Sequence, residues 1–191
     1  EDGFLRERPL AGGPALTNLA FADRDGAEWR GRAGAAWRAG EPLSLRAAAY
    51  RGWRLPTLNE LYRPFRVGPD AVAANAALAP ERLEGVEAGV TATPVPAVTL
   101  SATVFHNRLE NAIANVTAGT GPGLFPGVGF VAAGGTYRVR RNLDAISSTG
   151  VELDATANLG PVFASASWSH VDPEVKASGA AAPLDGLRPA Q

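Results

Sequence analysis

Arg51-Gly52-Trp53-Arg54-Leu55-Pro56-Thr57-Leu58-Asn59-Glu60-Leu61-Tyr62 opens a long, shaped connection between two strand-like runs. Asn75-Ala76-Ala77-Leu78-Ala79-Pro80-Glu81 and Gly85-Val86-Glu87 close it. The run before it is Leu43–Arg51 and the run after it is Arg82–Thr91. Long ordered connections are uncommon in compact domains and are usually functional. Pro56 suits a first helical position, and Leu58, Leu61 and Tyr62 follow at helical spacing. The spacing predicts a helix of one or two turns packing its apolar side on its surroundings, with Arg54, Glu60 and Arg63 as local ion pairs.

Outward from this stretch, a two-residue period governs the chain. Trp29, Gly31, Ala33, Ala35 and Trp37 share one parity, and Arg30, Arg32, Gly34, Ala36 and Arg38 hold the other. Successive strand side chains point to opposite faces, so one face is apolar and the other carries polar groups. Ala39–Pro42 reads as a tight turn. Leu43, Leu45, Ala47 and Ala49 then oppose Ser44, Arg46, Ala48 and Tyr50. Beyond the long connection, Val86, Ala88 and Val90 oppose Glu87, Gly89 and Thr91, with a turn at Thr93–Pro96. Val98, Leu100, Ala102 and Val104 follow against Thr99, Ser101 and Thr103. A second long, Gly-rich connection is expected from about Asn111 to Arg141, as a tightly folded or mobile loop. The alternation resumes over Leu143–Ala157, turns at Asn158–Gly160, and continues through Val162, Ala164, Ala166 and Trp168. Residues 172–191 and most of 1–27 read as loop, with a short strand around Leu16–Ala22.

The connections thus alternate short and long, which describes an antiparallel up-and-down meander with its tight turns at one end. Membrane barrels have this form, with short turns on one side, long loops on the other, and strands apolar outward and polar inward. A soluble β-sandwich alternates as well. It would have short turns at both ends and bulkier inward side chains than runs of Ala.

Composition limits the alternatives. The chain has 191 residues, no Cys, no Met and a net charge of −1. Neither a disulfide framework nor a thiolate metal site is possible, and the charge argues against a nucleic-acid partner. Lys176 is the only lysine, so no Walker-type phosphate loop exists. No apolar run approaches the ~18–20 residues of a membrane helix, whereas barrel strands need only ~9–11.

Leu55-Pro56-Thr57-Leu58-Asn59-Glu60-Leu61-Tyr62, then Asn75-x-x-Leu78-x-Pro80-Glu81, then Gly85-Val86-Glu87-x-Gly89 resembles the C-terminal half of TonB-dependent outer-membrane receptors. The resemblance implies an arc of about six strands from a Gram-negative outer-membrane barrel of about 22. On that reading residues 1–191 are one partial barrel domain, an interior piece without the plug, the TonB-contacting segment or the closing strands. It further implies uptake of a scarce nutrient, most readily a ferric siderophore, with haem or cobalamin as alternatives. The implied partners are membrane lipid, the extracellular ligand and the TonB complex, the last through other parts of the chain. No enzyme activity, cofactor or metal is implied. Two other classes remain open: an outer-membrane barrel enzyme or autotransporter, which would need an inward polar catalytic cluster, and a soluble all-β binding module.

Tyr62, Arg63 and Arg66 in the first connection, and Tyr137, Arg138, Arg140 and Arg141 in the second, are the candidate ligand contacts. Guanidinium groups pair well with carboxylate or phosphate. Lipid phosphates, or simple solvation of a basic loop, explain the same arginines. Glu87, Glu152 and Asp154 carry the polar parity and are expected to face the lumen. His106 and His170 share the apolar parity of their strands, where a place near the outer interface fits better than a metal pair. Ser167 and His170 point to opposite faces, so they form no catalytic pair.

Overall fold

The protein is described by a computed structural model over residues 21–188. In chain order its strands are β1 (Gly31–Arg38), β2 (Leu43–Arg54), β3 (Phe65–Val67), β4 (Asp70–Ala73), β5 (Glu81–Val95), β6 (Val98–Glu110), β7 (Ile113–Thr120), β8 (Gly123–Phe125), β9 (Gly129–Val131), β10 (Thr136–Asn142), β11 (Ala145–Leu159) and β12 (Val162–Lys176). A single α-helix, α1 (Leu58–Tyr62), and a 3-10 helix at Gly179–Leu184 complete the described elements. Two compact units emerge, a sheet unit (Trp29–Leu55, Ala79–Val116, Arg141–Gln191) and a loop unit (Glu1–Glu28, Pro56–Leu78, Thr117–Arg140). The expected strand at Leu16–Ala22 falls almost wholly outside the described residues.

The sheet unit is a six-stranded antiparallel meander in the order β1-β2-β5-β6-β11-β12. The sheet is open, with β1 and β12 as its two edges. Its strands reach 15 residues in β5, β11 and β12, more than the 9–11 or so that a tilted barrel strand needs to cross a bilayer. The register carries each parity across all six strands. One row runs Trp37–Leu45–Val90–Ala102–Leu153–Trp168 on a single face. Large apolar side chains on this face stand open: Trp37 is 65% exposed, Val104 55% and Trp168 55%. A water-soluble sheet of this size buries its apolar face in a core; here that face stands open.

The opposite face is polar and internally bonded. Tyr50 donates its hydroxyl to Asn107 Oδ1 at 2.7 Å, and Arg46 donates to the Thr103 hydroxyl. Asp154 accepts from Ser167 at 2.7 Å and from Ser101 at 3.5 Å, tying β11 to both neighbours. Two glycines make this lattice possible. A Cβ on Gly85 would meet the Tyr50 ring at 2.4 Å, and one on Gly150 would lie 2.4 Å from the Phe105 ring and 2.7 Å from the His170 carbonyl oxygen. The neighbouring side chains therefore lie flat over strand positions that carry no side chain of their own.

Several expected boundaries move. β5 runs through Pro94, with a register shift between Ala92 and Val95, and the turn narrows to Pro96-Ala97. Proline lacks the N–H of a regular ladder, and a bulge tolerates that lack. β12 continues to Lys176 where loop was expected, because the apolar parity changes face at its end. Val175 is buried in a small cluster with Ala112, Val116, Leu143, Ala177 and Ala181, while Asp172, Glu174 and Lys176 take the other face. The connection between β6 and β11 is not an irregular loop: strands β7 to β10 lie within it.

Candidate functional site

The loop unit gathers most of the residues singled out from sequence. α1 is short and is held by its caps. Thr57 is the N-cap: its hydroxyl accepts from the Glu60 amide at 3.2 Å, and the Glu60 carboxylate accepts from the Thr57 amide at 2.7 Å. This is a capping box, which satisfies two of the orphan amides at a helix start. Pro56 therefore stands one residue ahead of the cap and not at the first helical position.

Arg140 supplies the other end of the helix. Only 7% exposed, it donates Nη1 to the carbonyl oxygens of Asn59 at 2.5 Å and Arg63 at 2.9 Å, with Glu60 at 3.5 Å. Its guanidinium lies 5.0 Å from the centre of the Phe65 ring. One cation thus adds a charge-assisted donor at the helix C-terminus, where the Asn59 carbonyl also accepts from the Arg63 amide at 3.2 Å. Burial holds its pKa below the ordinary guanidinium value, the nearby Glu60 charge opposes that shift, and the group stays charged. Asn75 completes the frame. Its amide donates to the Glu60 carbonyl at 3.1 Å, and its Nδ2 donates to the Arg140 carbonyl at 2.9 Å.

β3 and β4 form a hairpin through Gly68-Pro69, and β4 runs parallel to β10 with Ala71 opposite Tyr137. These strands belong to a four-stranded sheet in the order β3-β4-β10-β7, and β8 pairs with β9 in a separate hairpin. The unit has its own core of Ala71, Ala73, Val131 and Tyr137, against which Phe125, Val128 and Val139 pack. Tyr137 is 7% exposed, stacks on Phe125 at 4.6 Å and donates its hydroxyl to the Pro126 carbonyl at 3.1 Å. Arg66 donates to the carbonyls of Val128 and, at 2.8 Å, Phe130. Arg138 pairs with Asp70 at 3.3 Å. Tyr62 lies against Phe21 with ring centres 4.5 Å apart.

Six of the seven candidates therefore share this unit, and they divide by role. Tyr137 and Arg140 are interior groups that build it. Arg63 and Arg66 are exposed, and the Arg138 side chain is 37% exposed. Arg141 belongs to the sheet unit, where its Nε is buried without a partner among the described residues. Glu87, Glu152 and Asp154 all occupy the polar face of the sheet, Glu152 between Thr103 and Ser169 in register. His106 and His170 lie on the apolar face. His106 Nδ1 is 2.8 Å from the Thr149 hydroxyl, and His170 stacks on Trp168.

Sequence reasoning missed Asp70 and the connecting role of Asn75. Asn75 stood inside the quoted words; nothing around Asp70 beyond Gly68-Pro69 marked it. Asp70 Oδ1 accepts from the Thr136 amide at 2.8 Å. That bond, more than the Arg138 charge, holds its carboxyl below the ordinary carboxylate value, against a smaller opposing effect of burial. A depressed folded pKa stabilises above the unfolded value, and the contribution is lost as pH falls through the folded one. We therefore expect an NMR titration to place the Asp70 midpoint below that of the unfolded chain, with the Thr136 amide resonance moving in the same step. A midpoint at or above the unfolded value would contradict this.

The remaining words of the opening stretch have structural duties too. Leu78 is 1% exposed. In the sheet unit, Glu81 accepts from the Ile113 amide at 2.7 Å and from Arg54 at 2.6 Å.

The family model for the TonB dependent receptor-like β-barrel matches residues 8–190. Among solved structures, the chain is similar to the siderophore receptor PirA from Pseudomonas aeruginosa, with a TM-score of 0.57 at 15% identity over 78% of this chain and 30% of that one. It is similar to the F5-1 variant of the FrpB iron transporter from Neisseria meningitidis, with a TM-score of 0.54 at 19% identity over 81% of this chain and 21% of that one. It is also similar to a mutant of the ferric enterobactin receptor PfeA from Pseudomonas aeruginosa, with a TM-score of 0.54 at 19% identity over 84% and 24%. At these identities the likeness is one of fold, and the chain spans less than a third of the length of each structure. No curated protein matches it in sequence. With an open antiparallel meander, an exposed apolar face and a family match across nearly its whole length, the chain belongs to the TonB-dependent receptors, in their β-barrel part.

Proposed function

We propose that this chain supplies wall strands and outer loops to an outer-membrane receptor that imports a scarce nutrient, an iron complex such as a ferric siderophore, using energy delivered through TonB. The observation that carries the proposal is the two-sided meander. Its apolar face is exposed as a lipid-facing surface would be, its polar face is hydrogen-bonded as a lumen wall would be, and its long connections all leave from one end. The fold likeness to an iron transporter and two siderophore receptors supports iron complexes over haem or cobalamin. In this reading the loop unit lies on the outer side, and Arg63, Arg66 and Arg138, with Tyr62 beside them, meet an anionic ligand. Arg140 and Tyr137 shape the loop from within. The TonB contact and the lumen-filling plug belong to other parts of the receptor. Glu87, Glu152 and Asp154 face that lumen.

The test is uptake in iron-starved cells. Deleting the gene is expected to abolish transport of one class of ferric complex, and the wild-type gene to restore it. Arg63→Ala with Arg66→Ala is expected to raise the concentration needed for half-maximal uptake about tenfold, as removing charge-assisted contacts does. The folded protein is expected to show heat-modifiable migration in detergent. Unchanged uptake after deletion, for every iron complex tried, would overturn the iron reading.

A further inference from the structure

The hairpin β8–β9 displays an apolar pair that its own packing does not use. Leu124 and Phe130 are register partners on one face of the hairpin, 81% and 59% exposed. The alternate positions turn the other way. There Phe125 stacks on Tyr137 at 4.6 Å, and Val131 is fully buried in the core of the loop unit. Seated on that face, the hairpin holds the other outward. Pro122 and Pro126, two positions either side of Leu124, are exposed as well. No charged side chain occurs between Glu110 and Arg138, so the hairpin carries none of its own. A cation is fixed beside it from another strand. Arg66 on β3 donates Nη2 to the carbonyl oxygens of Val128 and, at 2.8 Å, Phe130. Those bonds hold the guanidinium at the backbone of Phe130 itself. Its Nε and Nη1 have no partner among the described residues, and no carboxylate among them pairs with it.

We propose that Leu124 and Phe130 take an apolar arm of the imported ligand, alkyl or aromatic, while the open donors of Arg66 take an anionic group of the same molecule. The inference rests on the receptor reading given above and narrows its substrate to an amphiphilic iron complex, not a wholly hydrophilic chelate. Cross-strand partners stand side by side, with Cβ atoms about 5 Å apart, so the two side chains form one surface. That surface is on the order of 300 Å². A stable protein interface needs about 800 Å² on each partner, so the patch suits part of a small molecule and not a second copy of the chain. An oxyanion completes the open edge of the guanidinium in its own plane, and the uncharged hairpin offers no competing carboxylate. Because backbone bonds tie the cation to Phe130, the anionic and apolar groups must sit close together in one ligand. Small-molecule sites combine apolar lining with a few fixed polar groups in this way.

The test uses the full chain, folded in detergent micelles, checked for heat-modifiable migration and labelled with carbon-13 at its leucine methyl groups. Methyl, butyl and phenyl phosphate, alike in charge and short enough to stay out of the micelle, are titrated separately while NMR follows the Leu124 methyl resonances. Butyl or phenyl phosphate is expected to bind about fivefold more tightly than methyl phosphate and to shift those resonances. A tighter butyl ester makes the arm alkyl, a tighter phenyl ester makes it aromatic, and either supports the proposal. Leu124→Ser with Phe130→Ser is expected to bring both esters down to the affinity of methyl phosphate. The two changes touch only the outward face and leave the Phe125–Tyr137 stack in place, so the loss is not a loss of the hairpin. Arg66→Gln is expected to weaken all three esters. Equal affinities for the three esters in the unmodified chain would overturn the proposal. Self-association that the double serine variant abolishes would assign the patch to a second copy and overturn it too. The esters carry no iron, so this outcome is separate from the iron reading, which stands or falls on uptake in cells.

Discussion

Leu153→Arg is expected to lower folding stability in a bilayer by about 2–4 kcal/mol, the cost of a basic side chain near the midplane of a barrel's lipid face. Leu153 sits between Ala102 and Trp168 in register, within the row that faces away from the bonded polar lattice, and is 43% exposed. In a soluble sheet an exposed Leu replaced by Arg would change little, within about 0.5 kcal/mol. The size of the effect therefore separates lipid from water as the medium on this face. Thr156→Arg, three residues on and facing the other way, is the control, with an expected cost below about 1 kcal/mol. Urea titration of the receptor refolded into liposomes, followed by tryptophan fluorescence, measures both. Equal costs at the two positions would contradict the assignment of faces.

Arg140→Met is expected to destabilise the loop unit locally by about 2–4 kcal/mol. The change removes a buried, charge-assisted bond set of roughly 1.5–3 kcal/mol, taking the guanidinium from the Arg63 carbonyl and from the Asn59 carbonyl, which keeps the Arg63 amide at 3.2 Å. Met keeps much of the side-chain volume, so the loss reports on the bonds more than on packing. Arg140→Lys should recover only part of it, because an ammonium on a flexible stem cannot reproduce the planar fork. The readout is hydrogen exchange. The Asn75 amide, bonded to the Glu60 carbonyl, is expected to lose protection, while amides in β11 keep theirs. Unchanged exchange at Asn75 would show that Arg140 does not hold the helix. Ligand uptake is expected to fall with such a variant through the loss of loop order, so hydrogen exchange, and not uptake, reads the structural role of Arg140.

The faces of the sheet were legible because period-two patterning is a direct image of strand geometry. Val98 to Val104 and Val151 to Ala157 carry it cleanly, and the register confirms which residues share a face. What the pattern obscured lies where side chains serve local ends. Val175 goes into a small core at the end of β12, so the apolar parity there reads backwards. Pro94 looked like a turn because a bulge cannot be seen in one strand alone. The Gly-rich run from 111 to 141 looked loop-like, yet its strands pair with one another and, through β4, with residues more than sixty positions away. Such pairing leaves no local periodicity. Among the candidate contacts, arginines were chosen by charge. Sequence could not separate Arg140, committed to carbonyls, from Arg63, left exposed, because the distinction depends on which backbone groups lie within reach.

The central claim is that one face of the sheet meets lipid and the other does not. The 191 residues contain no cysteine, so single cysteines can be placed at each position from 151 to 157 and labelled with a fluorophore. Quenching by nitroxide-bearing lipids in refolded vesicles then reads each position in turn. The account predicts strong quenching at 151, 153, 155 and 157 and little at 152, 154 and 156. Quenching without a two-residue period, or none at any of the seven, would contradict it.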